Sequence, residues 1–250
     1  MILFFDIHIH TAEYSMDSQL PLRKILSEAA EMKLSGICIT DHDTQVLYPQ
    51  AEALSEESGL LVIIGLEYTC HEGHILVFGA PELKRTFLPL RDALEEIKSQ
   101  GGIAIASHPF RWDSPNMKNA IQKNASQLDG IEAFNGGATA EENLLAYEFA
   151  VENELPILGG SDAHYAARIG RFVTDFKTPV KSEQDFVRAI IKAKSNKKGL
   201  ENISVSAHKG SNFVAAYTYE KKLHEHSSPP PVRSIKDVLN APRSGNRFSV

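Results

Sequence analysis

A chain of 250 residues, 42% of them hydrophobic, is long enough for one large core with a small appendage, a size at which α/β barrels often form a single domain. Its formal charge of −6 argues against a long basic groove for nucleic acid. Two cysteines, Cys38 and Cys70, exclude a disulfide framework or thiolate zinc cluster. No run approaches the roughly 18 apolar residues of a membrane span, so a cytoplasmic protein without a targeting segment is expected.

In chain order, "ILFFDI" reads as a buried strand and "LPLRKILSEAAEMKL" as a helix with apolar residues three and four apart. "GICIT", "LLVIIGLE" and "HILVFG" follow as strands, then the helical "PLRDALEEIKSQG", which runs into a glycine pair suited to a C-terminus. "GGIAIASH" and "GIEAFN" are strands, "TAEENLLAYEFAVEN" a helix, and "LPILGGSD" the seventh strand. Strands alternating with helices predict an α/β fold. One connection differs. The six residues "YTCHEG" between Glu67 and His74 are too few for a parallel crossover, so the strand from His74 should run antiparallel to its predecessor. A further helix, "SEQDFVRAIIKAK", is expected over 182–194. Beyond Gly199 the pattern weakens, "SSPPPVRS" reads as linker or extended chain, and residues 200–250 form an extension of no legible role.

Polar groups punctuate the strand ends. His8 and His10 lie one residue apart on one face of the first strand, with Asp17 in the loop beyond. His42 follows in "ITDHD", Glu67 in "IIGLE", then His74, His108 in "IASHPFR", and Asp162 with His164 in "GGSDAH". Six of the ten histidines and three carboxylates thus fall at strand boundaries, where packing gives no reason for them and a metal site does. Arg111, Arg168 and Arg171 lie close by in sequence and are candidates to fork onto a substrate phosphate. Asp41 and Asp43 flank His42 and are candidates to orient it. His71 lies in the short turn near the rim as a candidate proton donor or a solvated loop residue; His208, His224 and His226 match no motif; and Asn135 ends its strand at the rim, as a substrate contact or as the close of the strand.

Taken together, the H-x-H start, the downstream Asp, "TDHD", "GLE", "HILVFG", "SHP" and "SDAH" resemble the PHP superfamily, the polymerase and histidinol phosphatase metal-dependent phosphoesterases, over residues 1–170. The resemblance implies a distorted seven-stranded (β/α)7 barrel over residues 1–199, followed by the 200–250 extension, and a centre of two to three divalent ions. His8, His10, Glu67 and Asp162 would hold the first ion; Glu67, bridging, with His74 and His108 the second; and Asp17, His42 and His164 the third. Some relatives use a His where this chain has Asp17. "IGRFVTDF" and the helix near Asp185 resemble the extension that often follows this domain.

Three divalent ions less three carboxylates leave about three positive charges in a site shielded from water, which draws in a phosphate dianion. Paired ions can lower the pKa of a water held by Glu67 and Asp162, so that a bridging hydroxide attacks phosphorus with no protein nucleophile. Imidazole and carboxylate without thiolate favour zinc, manganese or iron. The expected substrate is a small nucleotide or sugar phosphate. A 5′-end oligonucleotide exonuclease, a histidinol phosphatase, a non-catalytic metal-stabilised module serving a partner and a zinc amidohydrolase are the rival readings.

Overall fold

The polypeptide is described here by a computed structural model that covers residues 2–81, 83, 86–195, 200–209 and 212–214. Most of the expected 200–250 extension, including "SSPPPVRS", His224 and His226, lies outside the described residues.

The first sheet starts from the apolar run at the head of the chain. β1 (Leu3–Ile9) pairs in parallel with β2 (Gly36–Ile39), and β2 with β3 (Leu61–Ile64). On the other side of β1 lie β9 (Val173–Phe176), β10 (Ile203–Lys209) and β11 (Asn212–Val214), each antiparallel to its neighbour. The second sheet has the order β4 (Leu66–Thr69), β5 (His74–Phe78), β6 (Ile103–Ala106), β7 (Gly130–Asn135) and β8 (Ile157–Gly160). As the short "YTCHEG" turn requires, β5 is antiparallel to β4. It is also antiparallel to β6, whereas β6, β7 and β8 run parallel.

The helices α1 (Leu22–Glu31), α2 (Ala51–Ser58), α3 (Leu90–Ser99), α4 (Met117–Asn124), α5 (Ala140–Glu152) and α6 (Glu183–Ser195) complete a mixed α/β fold. Local chemistry explains their ends. α5 opens on a capping box in which Thr139 accepts from the Glu142 N–H while Glu142 accepts from the Thr139 N–H. α3 runs out into Gly101, left-handed at φ 79°. None of the described helices is long and apolar enough to cross a membrane.

The ladders form two sheets of six and five strands rather than the closed seven-stranded barrel expected from the sequence. "LLVIIGLE", read as one strand, breaks at Gly65: β3 stays with β2 and β4 turns to β5. A Cβ at Gly65 would collide with the Phe78 ring and the Val77 carbonyl, so only glycine admits this close approach. Isolated bridges join the sheets at two seams, Ile9 to Ala163 and His42 to Glu67. Both seams lie among the site residues. β9 and β10, unforeseen as strands, extend the sheet beyond β1.

Two register shifts decide which face the polar groups take. In β1 the shift lies between Asp6 and Ile9. Phe5 and Ile7 therefore pack with Cys38, Ile63, Leu76 and Leu158, while Ile9 packs with Ile37 and Ile39 in a different cluster. The extra residue lets His8 follow Ile7 toward the interior. In β7 a similar shift between Glu132 and Phe134 sends Ile131, Ala133 and Phe134 into the helix-side core and leaves Glu132 and Asn135 facing His8 and the rim. At the far end α6 seals the interior: Phe186 and Ile190 pack with Phe5, Phe78 and Phe176.

Candidate metal centre

All nine strand-end residues meet in one connected cluster. Glu67, at the seam between the sheets, is its hub. Its Oε2 lies 3.2 Å from the Nε2 atoms of both His8 and His10 and 3.3 Å from His42 Nδ1. Its Oε1 lies 2.8 Å from His108 Nε2 and 3.4 Å from His74 Nδ1. Asp162 Oδ1 faces His8 Nε2, His10 Nε2 and His164 Nδ1 at 3.6, 3.4 and 3.5 Å. Asp17, the most exposed member, places Oδ2 3.3 Å from His42 Nε2 and 3.0 Å from His164 Nε2. The tightest three-residue sets are His8, His10 and Asp162; His8, Glu67 and His108; and His10, His42 and His164. The first lies within the expected first group; the second has His8 beside Glu67 and His108 where His74 was expected. In the third, His10 joins His42 and His164 where Asp17 was expected, so that His8 and His10 each border two sets.

Backbone strain marks the same place. His108 at φ 29° and Asp162 at φ 50° are left-handed, a conformation that costs about 1 kcal/mol or more for a side chain with a Cβ and persists only where surrounding bonds hold it. Here they do: the His108 N–H donates to Glu132 Oε2, and the Asp162 carbonyl receives His164 Nδ1 at 3.0 Å.

Partners behind the cluster fix where the imidazole protons sit. His8 Nδ1 lies 2.9 Å from Glu132 Oε1 and donates to it. The Ser15 hydroxyl donates to Asp41 Oδ1 at 2.7 Å and so accepts from His10 Nδ1 at 3.2 Å. In the neutral rings both Nε2 atoms then carry lone pairs, yet they stand 2.9 Å apart beside two carboxylates. Lone pairs so placed repel one another unless a positive charge lies among them. Ligands 2.0–2.1 Å from one tetrahedral zinc would be about 3.3 Å apart, close to the spacings here. His74 Nδ1 is buried without a hydrogen-bond partner, 3.4 Å from Glu67 Oε1. A donor set of imidazoles and carboxylates with no thiolate fits divalent cations.

Protons show the same demand for positive charge. Burial opposes an imidazolium at His8, but the charges of Glu132, Glu67 and Asp162 outweigh it and hold the pKa well above the ordinary value. Burial also opposes charge on His10, yet hydrogen bonds to Asp162 and Glu67 push its pKa up to about 9. Despite burial, Glu67 and Asp162 are held well below the usual carboxylate range, chiefly by His8.

Sequence reasoning missed Glu132. It is fully buried; besides His8 and the His108 N–H it receives the Ser107 hydroxyl at 3.1 Å and Asn135 Nδ2 at 3.0 Å. A carboxylate inside the apolar strand "GIEAFN" was the available signal, since such a group is costly to bury without partners. Asp41 was expected to orient His42. It instead accepts from Thr11 N–H, Thr11 Oγ1 and Ser15, and acts on His10. Asp43 turns away to receive the Thr69 N–H and hydroxyl.

The arginines divide. Arg111 Nη1 donates to Asp162 Oδ2 at 2.9 Å, and its Nε donates to Asp113. Arg171 Nη1 donates to the Gly136 carbonyl at 3.0 Å and so braces the loop after β7. Arg168 donates through Nε to the Tyr165 hydroxyl at 2.8 Å and has no acidic partner among the described residues. Its Nη1 borders Gly137, where a Cβ would sit 2.7 Å from Asp162 Oδ2. Glycine there keeps the space between Arg168 and Asp162 open.

Comparison with known proteins places this arrangement. A family model described as PHP-associated matches residues 140–195, from α5 through α6. An uncharacterized protein of Methanocaldococcus jannaschii is 35% identical over 142 residues, 52% of this chain and 80% of that protein. A phosphoribosyl 1,2-cyclic phosphate 1,2-diphosphodiesterase of Eggerthella lenta is 32% identical over 78 residues, and the match covers 31% of this chain and 29% of that enzyme. Among solved structures, one described as a metal-dependent phosphoesterase from Bifidobacterium adolescentis superposes with a TM-score of 0.55 at 18% identity, covering 65% of this chain and 88% of that one. The lesion-specific endonuclease EndoQ of Pyrococcus furiosus superposes with a TM-score of 0.55 at 18% identity, covering 76% of this chain and 56% of that one.

Proposed function

Since this chain belongs to the PHP superfamily of metal-dependent phosphoesterases, hydrolytic enzymes, we propose that it hydrolyses the ester of a small nucleotide or sugar phosphate at the rim where its two sheets meet. The observation that carries the reading is the convergence of His8 Nε2 and His10 Nε2, 2.9 Å apart, on Glu67 and Asp162, with both Nδ1 protons already engaged. Two to three divalent ions, zinc, manganese or iron, fit that donor set, with His8, His10, Asp17, His42, Glu67, His74, His108, Asp162 and His164 as their ligands. When bound, such ions supply Lewis acidity toward a phosphoryl oxygen and lower the pKa of a water.

The chain's own residues do the rest. Glu132 keeps the His8 proton on Nδ1, and the pair of Ser15 and Asp41 does the same for His10, so each ring presents its Nε2 lone pair. Arg168, free of any acidic partner among the described residues, is placed to receive a phosphate oxygen beside Asp162. Arg111 neutralises the outer oxygen of Asp162 and offers the same phosphate a second charge. Arg171 holds the rim loop through Gly136.

The test is elemental analysis of protein never exposed to chelator, together with a phosphatase screen. Two to three transition metals per chain are expected, with turnover of mononucleotides or sugar phosphates exceeding that of long single strands at equal ends. Glu67→Gln and Asp162→Asn should each lower turnover at least about 100-fold with the fold retained, because each removes cluster charge rather than core volume. A folded protein that binds no metal on titration, or full activity in either variant, overturns the reading. Salt-sensitive, processive digestion of long strands would favour an exonuclease instead.

A further inference from the structure

β6, β7 and β8 are neighbours in the second sheet, and the bridge from Ala163 to Ile9 brings the end of β1 beside β8. The loops that follow these strands therefore form one continuous arc of rim around Asp162. Of the nine large hydrophobic residues exposed among the described ones, four lie on this arc: Tyr14, Met16, Trp112 and Tyr165. Core packing does not account for them. Trp112, the chain's one tryptophan, is 82% exposed, and its indole makes no ring, cation or hydrogen-bond contact among the described residues.

Its position is nevertheless fixed. The Trp112 N–H donates to Glu142 Oε1 at 2.9 Å, the same side chain that caps α5, and the preceding residue, Arg111, is tied to Asp162. Across the arc, Arg168 lies over the Tyr165 ring at 4.9 Å while its Nε is pinned to the same tyrosine's hydroxyl. That guanidinium is held with Nη1 toward Gly137 and Asp162. The rim thus presents a held cation close to the carboxylates and a bare indole one residue beyond the arginine that touches them. An exposed tryptophan on a backbone fixed by hydrogen bonds is a stacking surface that leaves only the rotamer of its ring to be ordered by a ligand.

We propose that Trp112 is the specificity-determining residue of this site, stacking on the heteroaromatic ring of a nucleoside phosphate whose phosphate is taken by Arg168 and the metal centre. The inference rests on the phosphoesterase reading and narrows its substrate from phosphate esters in general to those carrying a base. A sugar phosphate offers the indole no π-face, so it would gain nothing from Trp112.

Adenosine 5′-monophosphate and ribose 5-phosphate are the probes, since they share the phosphoribosyl group and differ in the base. All tryptophan emission of the full chain comes from Trp112, so binding is read directly by fluorescence. Adenosine 5′-monophosphate should quench the emission saturably and ribose 5-phosphate should not. Trp112→Ala should lower kcat/KM for the nucleotide about tenfold or more, mainly through KM, with the sugar phosphate changed less than about twofold; Trp112→Phe should restore most of the loss. Equal effects on both probes, or no effect on either with no saturable quenching, would overturn the assignment while leaving the phosphoesterase reading intact. Saturable nucleotide quenching without hydrolysis of either probe would support the stacking site and count against the phosphoesterase reading.

Discussion

The two ends of the same strands obey opposite rules. At the α6 end, Phe5, Phe78, Phe176 and Phe186 stack edge to face or tilted at centroid separations of 4.9–6.1 Å, with no charge among them. At the rim end, six imidazoles and the carboxylates Glu67, Asp162 and Glu132 crowd into a volume of similar depth, much of it equally shut off from water. The aromatic end gains free energy from burial. The rim end spends it, because carboxylates and imidazoles held out of water need donors, ion pairs or added positive charge to offset them. Stability is thus concentrated at one end, which leaves the other free to hold an arrangement useful for chemistry.

The sharpest way to break that comparison is to remove volume from the sealed end. Phe186→Ala should cost about 3–5 kcal/mol, because the ring is fully buried among three others. Urea unfolding should show a lower midpoint, while metal content per folded chain stays unchanged. If the variant does not accumulate, Ile190→Val, expected to cost about 1 kcal/mol, asks the same question. Loss of metal without loss of stability would reverse the assignment of the two ends.

Behind the rim, Glu132→Gln should weaken metal binding about 10–100-fold, beyond a loss of urea stability of about 1–3 kcal/mol from pairing an amide N–H with buried donors, since an amide holds the His8 proton less firmly than a carboxylate. Competition with a coloured chelator measures this. The smallest expected effect lies away from both ends. Asp175 is pushed up to about 6, mainly by burial, while the hydroxyls of Ser206 and Ser204 favour the charged form. Its folded pKa exceeds the ordinary value of 3.8, so the folded state binds the proton more tightly and the protein loses stability as pH rises through that window. Asp175→Asn should therefore gain about 1 kcal/mol at pH 8 and nothing at pH 4, read from melting curves at the two pH values.

Much of this was legible along the chain. The antiparallel β5 followed from a turn too short to do otherwise. The seven apolar runs all became strands, though Gly65 splits one of them. Less was legible where two segments had to meet. β9 was missed because "VTDF" is four residues of mixed polarity whose pairing with β1 supplies what its own pattern lacks, whereas "ISVSAHK" does carry the apolar–polar alternation of a strand and was legible. α2 and α4, eight residues each, were too short to declare a period.

By itself the sequence determined the chemistry of the centre. Residue type and position at strand ends are local facts, and they were enough to name nine side chains that the fold gathers into one cluster. Only the tertiary structure decided how those side chains are held. Glu132 reaches His8 across 124 positions of chain, and Asp41 reaches Ser15 across 26. The register shifts in β1 and β7 that turn His8 and Glu132 inward belong to the pairing of strands. Tautomer, lone-pair direction and the freedom of Arg168 all depend on which groups come within about 3 Å of one another. Such distances are properties of the folded chain, set by packing between segments that carry no local trace of each other.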